Sequence, residues 1–178
     1  MKSRYFINES SFGVSGAIMK AVNNSSNIIN SDFTYFFHSI YTSFFNYKNA
    51  KIKYSIKKND EIIIENKEMK TYLVSVNIGE YFGSGMHVSP NSFVNDGLFD
   101  ICLGDDVNKM EIIGLSNSIY TGDHLSNPKM SFVSCTEMNI SEVESDVSIE
   151  CDGELHGQLP ANFKILPKCI QILVPKNL

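Results

Sequence analysis

Residues 51 to 57 alternate strictly between large apolar side chains and lysine or serine. Ile52, Tyr54 and Ile56 are therefore expected on one face of an extended strand, because successive side chains of a strand point to opposite faces. The KKND sequence that follows predicts a turn into a second strand over residues 62 to 65. The stretch predicts a β-hairpin with one face in water.

Further strand candidates recur along the chain at 71–78, 98–103, 129–135, 137–142, 147–151, 162–166 and 169–174. Many short strands without regular alternation of strand and helix are typical of antiparallel sheets. We expect a mainly β domain of the α+β class, folded as an antiparallel β-sandwich or distorted barrel with a few helices.

Three segments carry apolar residues at helical spacing. They predict a short helix over residues 14–22 and another over 107–120 that stops at Gly122. The helix between them has an aromatic stripe formed by Phe33, Phe36, Phe37, Ile40, Tyr41 and Phe44. Such a stripe is typical of a helix that packs against the core, and the alternative interpretation is a wall that faces lipid.

Composition limits the classes of function. The chain has 178 residues, is 43% hydrophobic, and carries a formal charge of −5 with 15 Lys and Arg residues in all. No basic stripe is present, so we expect no nucleic-acid partner. The four cysteines lack CxxC spacing, which favours buried free thiols in a reducing, cytoplasmic compartment. No apolar run approaches the roughly 20 residues that span a bilayer.

The sequence SIECDGELHG concentrates negative charge at 148–157. Glu150, Asp152 and Glu154 occupy every second position, which in an extended chain places them on one face roughly 6.5 to 7 Å apart. Such a trio repels itself unless a cation, a partner domain or open water relieves it. A surface hairpin is the alternative, because Asp-Gly is a common turn signal.

A second group of polar residues lies in the sequence NDGLFD. Asn95, Asp96 and Asp100 bracket a glycine and offer hard oxygen ligands that suit Mg²⁺ or Ca²⁺ better than zinc. An Asp-Gly turn that caps a strand has the same sequence. The glycines upstream, Gly79, Gly83 and Gly85, are not followed by Gly-Lys-Ser/Thr, so the segment is not a Walker P-loop.

Four motifs occur in a characteristic order: NIGEYFGSGMHVSPNSFVNDGLFD, TGDHLSNP, CDGE and a closing IQILVP. In this order they resemble the C-terminal domain of the diacylglycerol kinase and sphingosine kinase superfamily. RYFINESSFGVSGAIMKAVN resembles the segment that leads into the first helix of that domain, so the likeness covers nearly the whole chain. The resemblance implies the second domain of the NAD kinase/diacylglycerol kinase-like fold.

The resemblance also implies a missing partner. In this superfamily an N-terminal domain carries a Gly-Gly-Asp-Gly-Thr loop that binds ATP, and that sequence does not occur here. Residues 1–178 are therefore expected to be the C-terminal half of an ATP-dependent lipid kinase that phosphorylates diacylglycerol, a sphingoid base or a related lipid alcohol. Mg²⁺ and ATP are the implied cofactors, bound mainly by the N-terminal kinase domain, and the isolated chain is expected to be inactive.

By similarity, the catalytic residues are Glu154, Asp152 and Asp96. Glu154 projects toward the ATP phosphates and a Mg²⁺-water network in the cleft between the domains, and Asp152 supports it. These carboxylates are expected at an exposed rim where they add little to stability. Glu150 has no role in the family and is expected to be solvated.

A second, structural cation site is implied at Asn95, the Leu98 carbonyl and Asp100. Asn95 stands where the family has aspartate, so one carboxylate has become a neutral amide and the affinity for metal should fall.

The lipid is implied to enter an apolar channel from a membrane surface, with peripheral association of the protein. His124 matches a histidine near the lining, and Phe82 and Met86 are candidates for contact with the substrate head. Phe36, Phe37, Phe44, Met110 and Leu115 suit the wall, although core packing predicts the same residue types. A homodimer is left open. A catalytically inert lipid-binding module and an NAD kinase are the alternative functions.

Overall fold

The structure is a computed structural model that describes residues 3–24, 41, 42, 45 and 47–173. Its described part contains strands that pair only in antiparallel fashion, two α-helices, and a short 3₁₀ helix at Asp123–Ser126. The strands are β1 (Glu9–Gly13), β2 (Ala50–Lys58), β3 (Glu61–Asn77), β4 (Phe99–Asp105), β5 (Met130–Cys135), β6 (Glu137–Val143), β7 (Ser148–Cys151), β8 (Glu154–Gln158) and β9 (Ala161–Lys164). The helices are α1 (Val14–Asn24) and α2 (Lys109–Thr121).

The long strand β3 organises the sheet. Its residues 61–71 pair with β2, which continues through β6 to β9. Its residues 71–77 pair with β4 on one edge, and residues 73–77 pair with β1 on the other. From there β1 leads to β7 and β8, and β4 leads to β5. Strand β3 thereby joins two groups of strands into a nearly closed, barrel-like sheet.

The main apolar core lies between these two groups of strands. Phe12 and Val74 face it from one group, and Ile56 and Phe163 face it from the other. The rings of Phe12 and Phe163 stack across the core with their centroids 6.0 Å apart. The alternation that predicted the β2 hairpin therefore reflects burial: Ile52, Tyr54 and Ile56 are all at most 2% exposed.

A second apolar cluster covers the outer face of β3 and β4. It contains Val14 and Ile18 of α1 together with Ile112 and Leu115 of α2. Helix α1 lies very close to β7, because a Cβ atom added at Gly16 would stand 2.0 Å from the Ser148 carbonyl oxygen. Glycine is required there by the close approach of helix to strand.

Local signals explain the ends of α2. Asn108 accepts hydrogen bonds from the backbone amides of Met110 and Glu111, and the Glu111 carboxylate accepts one from the Asn108 amide, which forms a capping box. The helix ends at Gly122, which has the left-handed conformation with φ 82°. The prediction of a stop at Gly122 is confirmed.

The predicted fold class is confirmed, with several corrections to its elements. Segments 62–65 and 71–78 form one strand rather than two, and residues 169–173 form no strand. Strand β1 was not predicted, because ESSFG is polar, and β8 was expected only under the alternative that treated 148–157 as a hairpin. The aromatic stripe of Phe33, Phe36, Phe37, Ile40 and Phe44 lies outside the described residues.

Candidate functional site

The SIECDGELHG segment forms a tight hairpin between β7 and β8. Asp152 and Gly153 are its two turn residues, with φ angles of 47° and 82°. Positive φ at both positions is the signature of a type I′ turn, the turn that Asp-Gly favours between antiparallel strands. The alternative that treated the segment as a hairpin is therefore confirmed, and the turn prevents the three carboxylates from lining up along one extended face.

Asp152 ties this hairpin to the start of β1. Its Oδ2 atom accepts a hydrogen bond from the Ile7 amide at 2.8 Å, and its Oδ1 atom accepts from the amides of Asn8 at 3.0 Å and Glu9 at 3.1 Å. The Asp152 amide in turn donates to the Glu9 carbonyl at 2.9 Å. Asp152 is exposed, as expected, and it also accepts hydrogen bonds from three backbone amides, which the sequence did not predict.

Glu154 is exposed, unlike Glu150. Its side chain is 67% exposed, and its contact is an ion pair with the guanidinium of Arg4. An exposed pair of this kind is worth little and exchanges readily with other partners. The side chain of Glu154 is exposed, as expected, and its place beside a nucleotide or another domain stays a prediction.

Glu150 is buried, which contradicts the expectation that it is solvated. It is 3% exposed, and its carboxylate accepts hydrogen bonds from the Ser11 hydroxyl and, at 3.0 Å, from the Gly153 amide. Strand β1 brings a second carboxyl against it, that of Glu9, which is 5% exposed. Burial, together with the neighbouring charges of Glu150 and Asp152, raises the pKa of Glu9 to about 10.

Sequence reasoning missed Glu9. A polar residue in the stretch INESSFG gave no strand signal, so nothing indicated that it would be buried. The burial of Glu9 follows from the pairing of β1 with β7, in which Ser11 lies opposite Glu150. Local sequence does not show this pairing.

These residues border an open cavity of about 380 Å³, which we call the acidic cavity. Its lining residues are Ile7, Asn8, Glu9, Ser15, Met19, Phe82, Gly83, Glu150, Asp152 and Gly153. The N-terminal segment, α1, the glycine turn near Phe82 and the β7–β8 hairpin thus meet around one hollow. Phe82, predicted as a substrate contact, lies in this lining.

Met86 does not line the acidic cavity. It is joined to Phe82 by two backbone hydrogen bonds of 3.1 Å, and its side chain packs against the second apolar cluster.

His124 is buried, and its described contacts are with the backbone and with an aromatic ring. It is 1% exposed, its Nε2 atom lies 3.0 Å from the Val88 carbonyl oxygen, and its ring meets Phe132 edge-on at 5.6 Å. Of the remaining wall candidates, Leu115 is buried in the second apolar cluster, whereas Met110 is 76% exposed and forms no internal wall.

The NDGLFD segment forms the turn before β4. The Asp96 carboxylate accepts a hydrogen bond from the Leu98 amide at 2.9 Å, which is the capping arrangement of an Asp-Gly turn. Asp100 accepts from the Ser134 hydroxyl, and its carbonyl accepts from Asn77. No described contact joins Asp96 to the β7–β8 hairpin, so the convergence of Asp96 with Asp152 and Glu154 stays a prediction.

Potential metal-ligating side chains do not cluster within the described ranges. Over residues 3–24 and 47–173, with the two short pieces between them, no three His, Cys, Asp or Glu side chains are grouped so that they could hold an ion. Three of the four cysteines, Cys102, Cys135 and Cys151, are buried free thiols as predicted, whereas Cys169 is exposed. No helix within the described residues is both long enough and apolar enough to cross a membrane.

The comparison with protein families matches residues 8–174 to the family described as the YegS C-terminal NAD kinase beta sandwich-like domain. This match covers nearly all of the chain, and the description names a β-sandwich-like domain, which agrees with the antiparallel strand-rich fold. The chain belongs to this family, which confirms the resemblance to C-terminal domains of the lipid kinase superfamily.

Curated proteins similar to this chain include several named diacylglycerol kinase. The protein from Staphylococcus epidermidis is 32% identical over 88 residues, which are 49% of this chain and 28% of the relative. The protein from Bacillus subtilis is 26% identical over 105 residues, which are 59% of this chain and 34% of the relative. The matches therefore span about a third of these curated relatives.

Solved structures show the same fold. A crystal structure of a diacylglycerol kinase from Bacillus anthracis superimposes with a TM-score of 0.52 at 18% identity, covering 92% of this chain and 47% of that one. Another structure from that organism gives a TM-score of 0.58 at 20% identity, over 91% of this chain and 50% of the other. This chain thus corresponds to about half of each solved kinase chain.

Proposed function

We propose that residues 1–178 are the C-terminal β-sandwich domain of an ATP-dependent lipid kinase that phosphorylates the hydroxyl of diacylglycerol, a sphingoid base or a related lipid alcohol. Family membership and the names of the relatives support the kinase class. The observation that carries the proposal further is the β7–β8 hairpin, where Asp152 fixes the turn and Glu154 stands exposed beside a cavity.

In this proposal a separate nucleotide-binding domain supplies most of the ATP site and faces the hairpin. Mg²⁺ bound with ATP neutralises the charge that develops on the transferred phosphoryl group. Glu154 fits a place near that ion, because its carboxylate is exposed and, among the described residues, pairs with Arg4 alone. Its role is to orient the water shell and the donors around the phosphates, which is the positioning that phosphoryl transfer depends on.

In this proposal Asp152 has a structural role. Its carboxylate is saturated by the amides of Ile7, Asn8 and Glu9, so it holds the N-terminal segment and the hairpin in register. Asp96 is proposed to belong to the same acidic network once the second domain is docked.

The residues of the structural cation site fit a metal poorly. Of Asn95, Leu98 and Asp100, only Asp100 carries a carboxylate, and that group already accepts a hydrogen bond from Ser134. Divalent Ca²⁺ sites need six to eight oxygen ligands, most often with more than one carboxylate. We assign no step to a metal at this position.

The lipid is proposed to arrive from a membrane surface on the cytoplasmic side, with the protein associating peripherally. Phe82 lines the acidic cavity and is the candidate that the structure leaves accessible for contact with a lipid head. His124 and Met86 act in this proposal as supports for the walls, since both are held by internal contacts.

The test is a phosphorylation assay with radiolabelled ATP on the polypeptide that joins this domain to its nucleotide-binding domain. Diacylglycerol, sphingosine, ceramide and monoacylglycerol are presented in mixed micelles. We expect label on at least one of these lipids and none with the 178-residue chain alone. Label on NAD with none on lipid would overturn the proposal in favour of an NAD kinase, and label on nothing would favour an inert lipid-binding module.

Matched variants test the role of Glu154 in the same assay. Glu154→Gln should lower turnover about 10²-fold or more, as the loss of one preorganised electrostatic group typically does. Glu144→Gln is the control, because Glu144 is an exposed carboxylate in an ion pair with Lys51 on another part of the sheet. Turnover of Glu154→Gln within twofold of the Glu144→Gln value would remove Glu154 from the catalytic set.

A further inference from the structure

The Glu150 side chain binds the turn that carries Glu154. Its backbone belongs to β7, and its Oε2 atom accepts a hydrogen bond from the Gly153 amide at 3.0 Å. Its Oε1 atom accepts a hydrogen bond from the Ser11 hydroxyl of β1. Gly153 directly precedes Glu154 in the sequence. The buried carboxylate of Glu150 therefore links the tip of the β7–β8 hairpin to β1.

Glu150 and Glu9 form a pair of buried carboxyl groups with unequal surroundings. Among the described residues, Glu150 has a hydrogen-bond donor on each of its two oxygen atoms, whereas Oε2 of Glu9 is buried without a partner. A buried negative charge is costly unless donors or a cation replace the lost water. The contacts therefore favour the charge on Glu150 and the proton on Glu9, which agrees with the raised pKa of Glu9.

The other charged groups near the pair also favour a retained proton. The charge of Asp152 acts on Glu9 and raises its pKa further. The guanidinium of Arg4 pairs with Glu154. Within the part of the chain that the structure describes, no salt bridge involves Glu9 or Glu150. The pair is therefore expected to hold one negative charge and one proton.

We propose that Glu150 is a positioning residue for Glu154. Its carboxylate holds the Gly153 amide and so fixes the direction in which the hairpin presents the side chain that follows. Glu9 contributes as the neutral acid, because a carboxyl O–H group can donate a hydrogen bond to the neighbouring carboxylate. The effect on turnover rests on the kinase activity proposed above, whereas the fixed hairpin tip does not.

Glu154 needs support of this kind from the rest of the hairpin. Its described contact is an exposed ion pair with Arg4, which constrains a side chain only weakly. Asp152 holds the turn on the side of residues 7–9 through three backbone amides. Glu150 holds the same turn from the buried side through Gly153. Two carboxylates thereby fix the backbone on either side of the turn, and the third remains exposed.

Two variants of the purified 178-residue chain separate the charge from the proton. Glu150→Gln leaves one acceptor oxygen for two donors, whereas Glu9→Gln keeps a neutral group that can donate a hydrogen bond. Gly153 is exposed, so hydrogen exchange of its amide, followed by NMR, reports the bond to Glu150. We expect exchange at least about fivefold faster in Glu150→Gln and within about twofold of the parent chain in Glu9→Gln.

A smaller acceleration in folded Glu150→Gln, or an equal acceleration in both variants, would overturn the proposal. Glu144→Gln is the exposed control and should leave Gly153 exchange unchanged. Carbon-13 NMR of the side-chain carboxyl groups at pH 7 uses the parent chain, so it is decisive even if Glu150→Gln does not fold. We expect Glu150 to be ionised and Glu9 to be protonated, and the reverse assignment would overturn the proposal.

Turnover distinguishes positioning from a general loss of structure. In the polypeptide that includes the nucleotide-binding domain, Glu150→Gln should lower kcat about tenfold and leave the KM for lipid within about twofold, because misplacement of a reacting arrangement slows the chemical step. In a Glu154→Gln background, Glu150→Gln should have no further effect, since a residue that acts through Glu154 loses its role with it. An equal fall of kcat in both backgrounds would overturn the proposal.

Failure of this inference and failure of the proposed function give different results. Phosphorylation of no lipid by the parent polypeptide would overturn the proposed function, and Gly153 exchange would still decide whether Glu150 fixes the hairpin tip. Phosphorylation of lipid together with unchanged Gly153 exchange in Glu150→Gln would overturn the positioning role alone.

Discussion

The two faces of strand β1 have opposite chemistry although both are buried. Phe12 faces the main core, where it stacks on Phe163 and belongs to the buried apolar cluster. Glu9 and Ser11 face the other way, toward Glu150 and the acidic cavity. Burial of the Phe12 face stabilises the fold because it removes apolar area from water. Burial of the Glu9 and Ser11 face lowers stability because polar groups are taken out of water. Burial alone therefore does not distinguish scaffold from site.

The comparison predicts that the largest effect on folding comes from the apolar face. Phe12→Ala should lower the free energy of unfolding by about 3 to 5 kcal/mol, because it removes a fully buried ring and leaves a cavity beside Phe163. Urea unfolding followed by circular dichroism measures the change. A loss below about 1 kcal/mol would mean that the two groups of strands do not share this core.

On the polar face, Glu9 should make stability depend on pH. In the folded chain the pKa of Glu9 lies well above the ordinary value. At pH values between the unfolded and folded pKa, the folded state therefore keeps a proton that the unfolded state has released. Stability contributed by that proton is present at low pH and is lost as pH rises toward about 10, with a limiting slope of about 1.4 kcal/mol per pH unit.

Glu9→Gln tests this sign. The variant should lose less stability than the parent chain between pH 5.5 and pH 8, by up to about 3 kcal/mol, because the amide cannot ionise. Parallel urea titrations at the two pH values measure the difference, with Glu144→Gln as the exposed control. An equal loss in the variant and in the parent chain would show that Glu9 is already ionised in the folded state over this pH range.

Asp152 should have a smaller effect that still exceeds that of an ordinary surface carboxylate. Asp152→Asn removes the charge that three backbone amides share, and we expect the free energy of unfolding to fall by about 2 kcal/mol. The exposed Asp146→Asn is the control and should change little. Equal stabilities of the two variants in urea would show that the contacts of Asp152 with residues 7–9 contribute nothing.

The smallest effect is expected at the Arg4–Glu154 pair. Arg4→Ala should change the free energy of unfolding by less than about 1 kcal/mol, since exposed ion pairs are screened by water. Thermal unfolding measures it at low and high salt. A loss as large as that of Asp152→Asn would place Glu154 in the scaffold and weaken its proposed role beside the nucleotide.

Local sequence signals predicted a large part of the fold. The alternation of Ile52, Tyr54 and Ile56 identified β2, the Asp152-Gly153 pair identified the β7–β8 turn, and Gly122 marked the end of α2. Each of these signals acts between residues that are close in sequence, so the sequence carries it directly. The order of motifs identified the family in the same way.

Long-range contacts could not be predicted in this way. Nothing near Glu9 in sequence indicates that β1 inserts between β3 and β7, and only that pairing places the Glu9 carboxyl against Glu150. The same pairing makes Glu150 buried, although the spacing of its neighbours suggested a solvated trio. The pairing of β3 with β4 likewise joins residues more than twenty positions apart in the sequence.

The sequence by itself determined the strand-rich class, the hairpin turns, the helix ends and the family, because each depends on local conformational preference or on an ordered set of motifs. Only the tertiary structure decided which carboxylates are buried, which are held by backbone amides and which remain exposed. The physical reason is that burial and charge interaction depend on distance in space, and Glu9 and Glu150 come within contact only after the strands between them have paired.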